Sequence, residues 1–479
     1  MLAFDNSYAR LPERFYTRMD PARVAAPKLL RLNMPLALKL GLDPEWLASP
    51  AGVAMLAGAA MPEGAASMAL VYAGHQFGHF SPQLGDGRAL LVGEFKAPDG
   101  QRYDLHLKGS GRTPYSRGGD GRAAMGPVLR EYVVSEAMAA LGIPTTRTLA
   151  AVATGERVFR EQILPGAVLA RVAKSHIRVG TFEFFAARGD GEAVKALADY
   201  AIQRHDPAAA NAAQPYRAFL DGVVARTADL IARWMAVGFI HGVMNTDNMS
   251  IAGETIDYGP CAFMDDYHPA TVFSSIDHQG RYAYANQPRI AHWNMARLAQ
   301  ALAPLLGEDE DAAVASAQAA IDAFAGLFED AYLARMRAKI GLATALPDDA
   351  SLIDGLLAAM ANHKADFTLT FRHLAAHLGG GPVPEGLEAW VGEWRKRLAA
   401  EGRGLADVRA SMDAGNPLYI PRNHLVGEAL AAAEINGDLE PLDALLRVVT
   451  APYAPQVHAA RYAAPPLPHE IVEATFCGT

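Results

Sequence analysis

The pattern of apolar and polar positions changes three times along the chain. Up to about residue 65 the sequence is Pro- and Ala-rich, with short periodic pieces such as Pro44 to Leu47 and Val53 to Ala60. This predicts an extended or partly helical arm packed on a larger body. From about 68 to 175, β-type runs alternate with Gly-rich connections: Ala89 to Phe95, Tyr103 to Leu107, Arg147 to Ala153, Arg157 to Ile163 and Ala167 to Val172. Such texture predicts an antiparallel sheet. One helix interrupts it, opened by Gly126-Pro127 and closed by Gly142-Ile143-Pro144, with proline near the first turn and glycine past the end. Glu131, Val134, Met138 and Leu141 fall on one face of that helix, so a glutamate heads an apolar stripe. The plain alternative is a first-turn acid favoured by the helix dipole.

Beyond about residue 190 the period becomes helical. Phe219, Val223, Leu230 and Trp234 share a face, with Leu220, Val224, Ile231 and Met235 beside it, and Gly238 ends the run. A stripe this wide predicts a buried helix. Residues 290 to 450 are Ala/Leu-rich with helical periodicity and few strand signals. The order is a β-rich part, a helical part, then more helices.

Composition narrows the function classes. The chain has 479 residues, is 51% hydrophobic and carries 43 Lys+Arg against 52 Asp+Glu. A large core is assured, and a net charge of −9 argues against nucleic-acid binding through bulk positive charge. Two cysteines, Cys261 and Cys477, are too few for a disulfide framework or a four-thiolate zinc site. No basic-then-apolar leader and no span of about 18 uncharged residues is present. The expectation is a soluble cytoplasmic protein.

Several common signatures are missing: a P-loop, a G-x-S-x-G elbow, HExxH and a dinucleotide-binding glycine fingerprint. The pairs His75/His79 and His373/His377 lack an acidic or cysteine third ligand nearby and are expected to be surface or packing residues rather than metal ligands. The informative segment is 240–259, with Asp247-Asn248 and, nine residues on, Asp257-Tyr258-Gly259. Mg²⁺ wants carboxylate and amide oxygens near phosphates, and phosphoryl-type transfer wants a carboxylate to take the nucleophile's proton. Asn248 and Asp257 fit the first need and Asp247 the second, across a hairpin with a β-like Met249 to Ile251. An Asx-rich loop with an ordinary turn is the alternative. Upstream, Lys108 ends a strand and Glu131 sits on the next helix, which is the protein-kinase order of parts. The loop departs from small-molecule kinases at His241-Gly242-Val243, where an Asp would follow the glycine. The first half also carries Arg88 after Gly-Asp-Gly, Asp120-Gly121 with Arg122, Arg171 and Arg178. Arginine forks suit phosphate oxygens, although a single arginine is ordinarily a surface charge.

The segments GHQFGHFSPQLGDGR (74–88), DLHLKGSGRTPYSRGGDGRAAMGPVLREYVVSEAMAALGIPTTR (104–147), HGVMNTDNMSI (241–251), IDYGP (256–260), DHQGRYAYANQP (277–288) and NPLYIPRN (416–423) resemble the SelO (YdiU) family over nearly the whole chain. The resemblance implies an α+β, bilobal protein-kinase-like fold: arm 1–65, β-rich N-lobe 66–180, helical C-lobe 181–290 and helical extension 291–479. It implies AMP transfer from ATP to Ser, Thr or Tyr hydroxyls of proteins, with UMP from UTP as a second activity. ATP would lie flipped relative to ordinary kinases, bound by Gly85, Gly87, Arg88, Lys108, Asp120, Gly121, Arg171, Arg178 and Asp257. Asp247 would be the base, Asn248 and Asp257 the Mg²⁺ ligands (Mn²⁺ being the other candidate), and Glu131 the partner of Lys108. A monomer acting on protein substrates is expected, without nucleic-acid or membrane partners. The rival readings are a kinase transferring the γ-phosphate to a protein or small molecule, and a non-catalytic ATP-binding scaffold. Family members commonly carry a cysteine near the C-terminus, for which a redox role is suspected. Here Cys477 is present, but Phe273-Ser274-Ser275 stands where related chains can have a second, leaving Cys261 as the only other thiol.

Overall fold

In the computed structural model, which describes residues 3–476, an antiparallel sheet forms the N-terminal part and helices form most of the rest. Its strands are β1 (Tyr16–Arg18), β2 (Lys28–Leu32), β3 (Met68–Leu70), β6 (Ala89–Lys96), β7 (Arg102–Lys108), β8 (Ala123–Ala124), β9 (Arg147–Phe159) and β10 (Ile163–Ala173). A small hairpin of β4 (Gly74–Gln76) and β5 (His79–Ser81) stands apart from it. The order is β1-β3-β6-β7-β10-β9-β2, with β8 on β10. The arm thus does more than pack on the body: it supplies both end strands. Helices α1 (Met34–Lys39), α2 (Pro44–Ala48) and α3 (Pro50–Leu56) then cover one face, burying Leu36, Leu47 and Leu56 against Val92, Leu105, Leu107 and Val168.

Two expected strands are corrected. Arg157 to Ile163 is not a strand of its own. Its first residues end β9, Ile163 opens β10, and the chain turns at Arg160–Gln162. The β-like Met249 to Ile251 forms no strand, only a single bridge between Ser250 and Arg178.

The other sheet face carries α4 (Met125–Ala140). Leu129, Val133 and Ala137 pack on Ala151, Ala167 and Leu169, and Leu425, Val426, Leu442 and Leu445 from late helices close the same cluster. Glu131 is therefore no exposed first-turn acid; it is 3% exposed. Next come α5 (Val179–Ala186), α6 (Gly191–His205), α7 (Pro215–Ala236), α8 (Gln287–Leu302) and α9 (Glu310–Lys339). Every residue of the wide stripe expected on α7 is buried. Between α7 and α8 the short strands β11 (Phe239–Ile240) and β12 (Ala262–Phe263) pair and pinch off the loop 241–261. Among the described residues, no helix is long and apolar enough to cross a membrane.

Candidate active site

Antiparallel register decides which side chains meet. On β7, Leu105 and Leu107 face the arm helices, so His106 and Lys108 point to the opposite face. β10 pairs with β7 at Leu169↔Lys108 and Arg171↔His106, which puts Arg171 beside His106 on that face. Lys108 Nζ lies 2.6 Å from Glu131 Oε2 and 3.1 Å from Asp257 Oδ1. Arg171 Nη1 lies 2.8 Å from both Glu131 Oε1 and Asp257 Oδ1. Arg178, at the start of α5, grips Asp257 Oδ2 and the carbonyl of Asp247, with its guanidinium over the Tyr72 ring.

Burial alone would raise the pKa of Asp257, but Arg178, Lys108 and Arg171 outweigh it and hold the group well below the usual carboxylate range. Glu131 is lowered too, its burial outweighed by Lys108 and Arg171. Both remain anionic at neutral pH.

Asp247 is held differently. Thr246–Asn248 is one short helical turn, and the β4–β5 hairpin lies on it. His75 N–H donates to Thr246 Oγ1 (2.7 Å), Phe77 N–H to Asn245 Oδ1 (3.1 Å) and Gln76 Nε2 to Asp247 Oδ2 (3.1 Å). Glycine at 74 permits this approach, because a Cβ there would stand 2.4 Å from Asp247 Oδ1. That Oδ1 atom is buried with no hydrogen-bond partner among the described residues. Burial pushes the Asp247 carboxyl up to about 6, the range in which a carboxylate serves as a general base.

A cavity of about 790 Å³ joins these groups, lined by Gly85, Gly87, Arg88, Lys108, Asp120, Gly121, Arg171, Arg178, Asp247, Asn248 and Asp257. The nucleotide and metal candidates named from sequence thus share one wall-to-wall space. Two of its buried lining residues are cationic: Arg171 is 2% and Arg178 3% exposed. At the open end Asp120 takes both Nη atoms of Arg160 (2.9 and 3.1 Å). Gly121 has φ +68°, and a Cβ there would stand 2.1 Å from Gly111 O, so no side chain fits. Asn248 donates Nδ2 to Val243 O at 3.0 Å, which fixes its amide and leaves the oxygen as the acceptor end. Asn248 and Asp257 are hard oxygen donors of the kind Mg²⁺ takes. Two such ligands suit a cation shared with phosphates, and among the described residues no cluster of three or more His, Cys, Asp or Glu offers an all-protein site.

Sequence reading missed Gln76, Tyr72 and His106. His106 was legible in principle, since period-two alternation places it on the Lys108 face. It is fully buried, with Nε2 3.2 Å from Asp86 Oδ2 and Nδ1 3.3 Å from Arg171 Nε. Arg171 can only donate, so Nδ1 accepts and Nε2–H donates to Asp86. Burial lowers the His106 pKa, and the neutral ring bridges the Gly-Asp-Gly-Arg turn to Arg171. An Asn oxygen can stand in for Nδ1, and a Leu for neither nitrogen. Hydrogen bonds to charged groups are worth about 1.5–3 kcal/mol. His106→Leu should therefore weaken binding of the ATP that the motifs imply by roughly tenfold or more, and His106→Asn should recover most of it, as read by calorimetry. Equal affinity in all three proteins would remove His106 from the site.

Cys261 is fully buried, and its thiol is pushed up to about 11 by burial, which makes it unreactive. Cys477 lies outside the described residues. The tail that leads to it pairs with the 273–275 segment: Thr475 N–H donates to Phe273 O (2.7 Å) and Ser275 N–H to Thr475 O (3.0 Å).

Comparison with known proteins gives the family. Residues 1–450 match the family model described as "Protein adenylyltransferase SelO". A "Protein nucleotidyltransferase YdiU" of Rhodopseudomonas palustris (strain BisB5) is 62% identical over 486 residues, covering 99% of each chain. Its namesake in Methylorubrum extorquens is 60% identical over 495 residues, covering 100% of this chain and 99% of the relative. Another, in Bradyrhizobium sp. (strain BTAi1 / ATCC BAA-1182), is 58% identical with 99% coverage of each. A match of this extent, over a chain whose cavity gathers the motif residues, means that the protein belongs to the SelO family.

Proposed function

We propose that this chain is an ATP-dependent protein adenylyltransferase with a kinase-like bilobal site, transferring AMP to Ser, Thr or Tyr hydroxyls and accepting UTP as a second donor. One observation carries the reading: two buried guanidinium groups line the cavity beside Lys108. An ordinary γ-phosphoryl transferase buries a neutral base in its cleft, whereas Arg171 and Arg178, buried in this one, favour the distal phosphates of a flipped nucleotide. The α-phosphate then comes to Asp247. The acceptor hydroxyl gives its proton to Asp247 Oδ1 and its oxygen bonds to the α-phosphorus. The bond from that phosphorus to the α–β bridging oxygen breaks, and pyrophosphate leaves with the electron pair toward Lys108, Arg171 and Arg178. Asn248 and Asp257 would hold Mg²⁺ or Mn²⁺, which when bound neutralises phosphate charge. Gln76 orients the base, and Glu131 keeps Lys108 extended into the cavity.

A structure with a non-hydrolysable ATP and Mg²⁺ tests the orientation. The γ-phosphate is expected on Arg171 and Arg178; a γ-phosphate beside Asp247 would favour the kinase reading instead.

The pH dependence has a definite sign. The base works when ionised, and its pKa is raised to about 6. At saturating acceptor, kcat/KM for ATP should rise with pH through a midpoint near 6 and level off above 7. The Asp247→Asn variant should lack this limb; the same limb in that variant would assign it to another group.

A further inference from the structure

Beside the base, on the outer side of the β4–β5 hairpin, lies a cationic platform that the transfer chemistry does not use. Trp293 on α8 carries the guanidinium carbons of Arg281 and Arg297 over its ring, 4.9 and 5.3 Å from the centre. The Nε atoms of both arginines are buried there without a hydrogen-bond partner among the described residues. Nor does either arginine have a carboxylate within ion-pair distance among those residues, although most buried and half-buried arginines of this site do.

Two carboxylates on the segments that meet this face are committed elsewhere. Asp277 accepts the backbone N–H groups of Arg281 and Tyr282 (2.9 and 2.7 Å). Glu183 takes His75 Nδ1 (2.6 Å) and the Thr246 hydroxyl. Helix α8 itself, Gln287–Leu302, contains Arg289, His292 and Arg297 and no Asp or Glu. Arg289, Trp293 and Arg297 are spaced by four, so they share one helix face. In a chain with net charge −9, this is a local concentration of the opposite sign.

The platform is mechanically continuous with the base. The Arg281 guanidinium lies 3.5 Å from where a Cβ on Gly78 would stand. The His75 ring meets Trp293 edge-on at 5.3 Å. The Tyr282 hydroxyl donates to Asn245 Oδ1 at 2.6 Å and receives Phe77 N–H at 3.2 Å. Gln76, two residues from Gly78, touches Asp247. His75 also joins the two, its N–H on Thr246 beside the base and its ring on Trp293, so a few residues of an acceptor chain span from one to the other. Exposed Ile276 lines the cavity on the same segment.

Resting on the adenylyltransferase reading, we infer that Arg281, Trp293 and Arg297 form the acceptor-docking surface, and that it selects a protein segment bearing Asp or Glu about two to four residues from the modified hydroxyl. Guanidinium groups stacked on an indole are pre-ordered, so their remaining N–H edges meet carboxylates with little loss of freedom.

The experiment uses the full chain, α-labelled ATP and a peptide library with a fixed central Ser, Thr or Tyr. The wild type should label peptides with Asp or Glu at those positions about fivefold or more over neutral ones, given two partly exposed ion pairs. The preference should fade at high salt. Arg281→Gln with Arg297→Gln should flatten it, and Arg281→Glu with Arg297→Glu should turn it toward Lys and Arg, with ATP affinity by calorimetry unchanged. A wild type that labels acidic, neutral and basic peptides equally, or a charge swap that leaves the preference standing, overturns the docking surface while the transferase reading survives. Labelling of no acceptor overturns both, and preferential labelling of added RNA overturns the choice of a protein segment.

Discussion

Replacing Asp247 by Asn should leave ATP binding nearly intact and collapse turnover by about 10²–10⁴-fold, the usual worth of general-base assistance. The substitution keeps the acceptor for Gln76 Nε2 and changes little in volume. The backbone carbonyl of Asp247 still receives Arg178. What is lost is the unpaired Oδ1 as a proton acceptor. Calorimetry with ATP beside a transfer assay separates the two effects. Loss of binding as complete as loss of turnover would make Asp247 a ligand-holding residue instead.

The second large effect is expected at Asp257, and Asn is the informative replacement. Asp257 has φ +62°, a left-handed conformation that Asp and Asn tolerate and Ala resists by about 1–2 kcal/mol. Ala would therefore mix backbone strain with the loss of charge. Asp257 is also the anion on which Lys108, Arg171 and Arg178 converge. Asp257→Asn should lower activity by about 10²–10³-fold or more at any Mg²⁺ concentration, since metal-assisted charge stabilisation is worth several kcal/mol. Asn248→Ala, which removes a neutral oxygen, should be partly rescued by excess Mg²⁺. Rescue of Asp257→Asn to the same degree would contradict its role as the principal anchor.

Much of this site was legible because its signals are local. The order strand lysine, helix glutamate, Asp-Asn and Asp-x-Gly can be read along the chain, and the Lys108–Glu131 pair forms as expected. The arm strands were not legible, because β1 and β2 are three and five residues long and owe their pairing to β3 and β9, far along the chain. The β9–β10 hairpin was misplaced because its turn at Arg160–Gln162 contains no Gly, Pro, Asn or Asp, the residues that ordinarily announce one. The grip of Arg171 and Arg178 on Asp257 spans 86 and 79 residues and needs the sheet register and the start of α5 to be known. The hairpin on Asp247 is a similar case. Its sequence, with Phe77 and Gly78 both at positive φ, can be read as a turn, but not as the element that supports the base.

The central claim is that the α-phosphate, not the γ-phosphate, meets the acceptor. The most direct measurement incubates the full chain and an acceptor protein with ATP labelled at one phosphate at a time. Label from the α-position should stay on the acceptor and γ-label should leave in pyrophosphate. Retention of γ-label on the acceptor, with α-label remaining in ADP, would contradict the account.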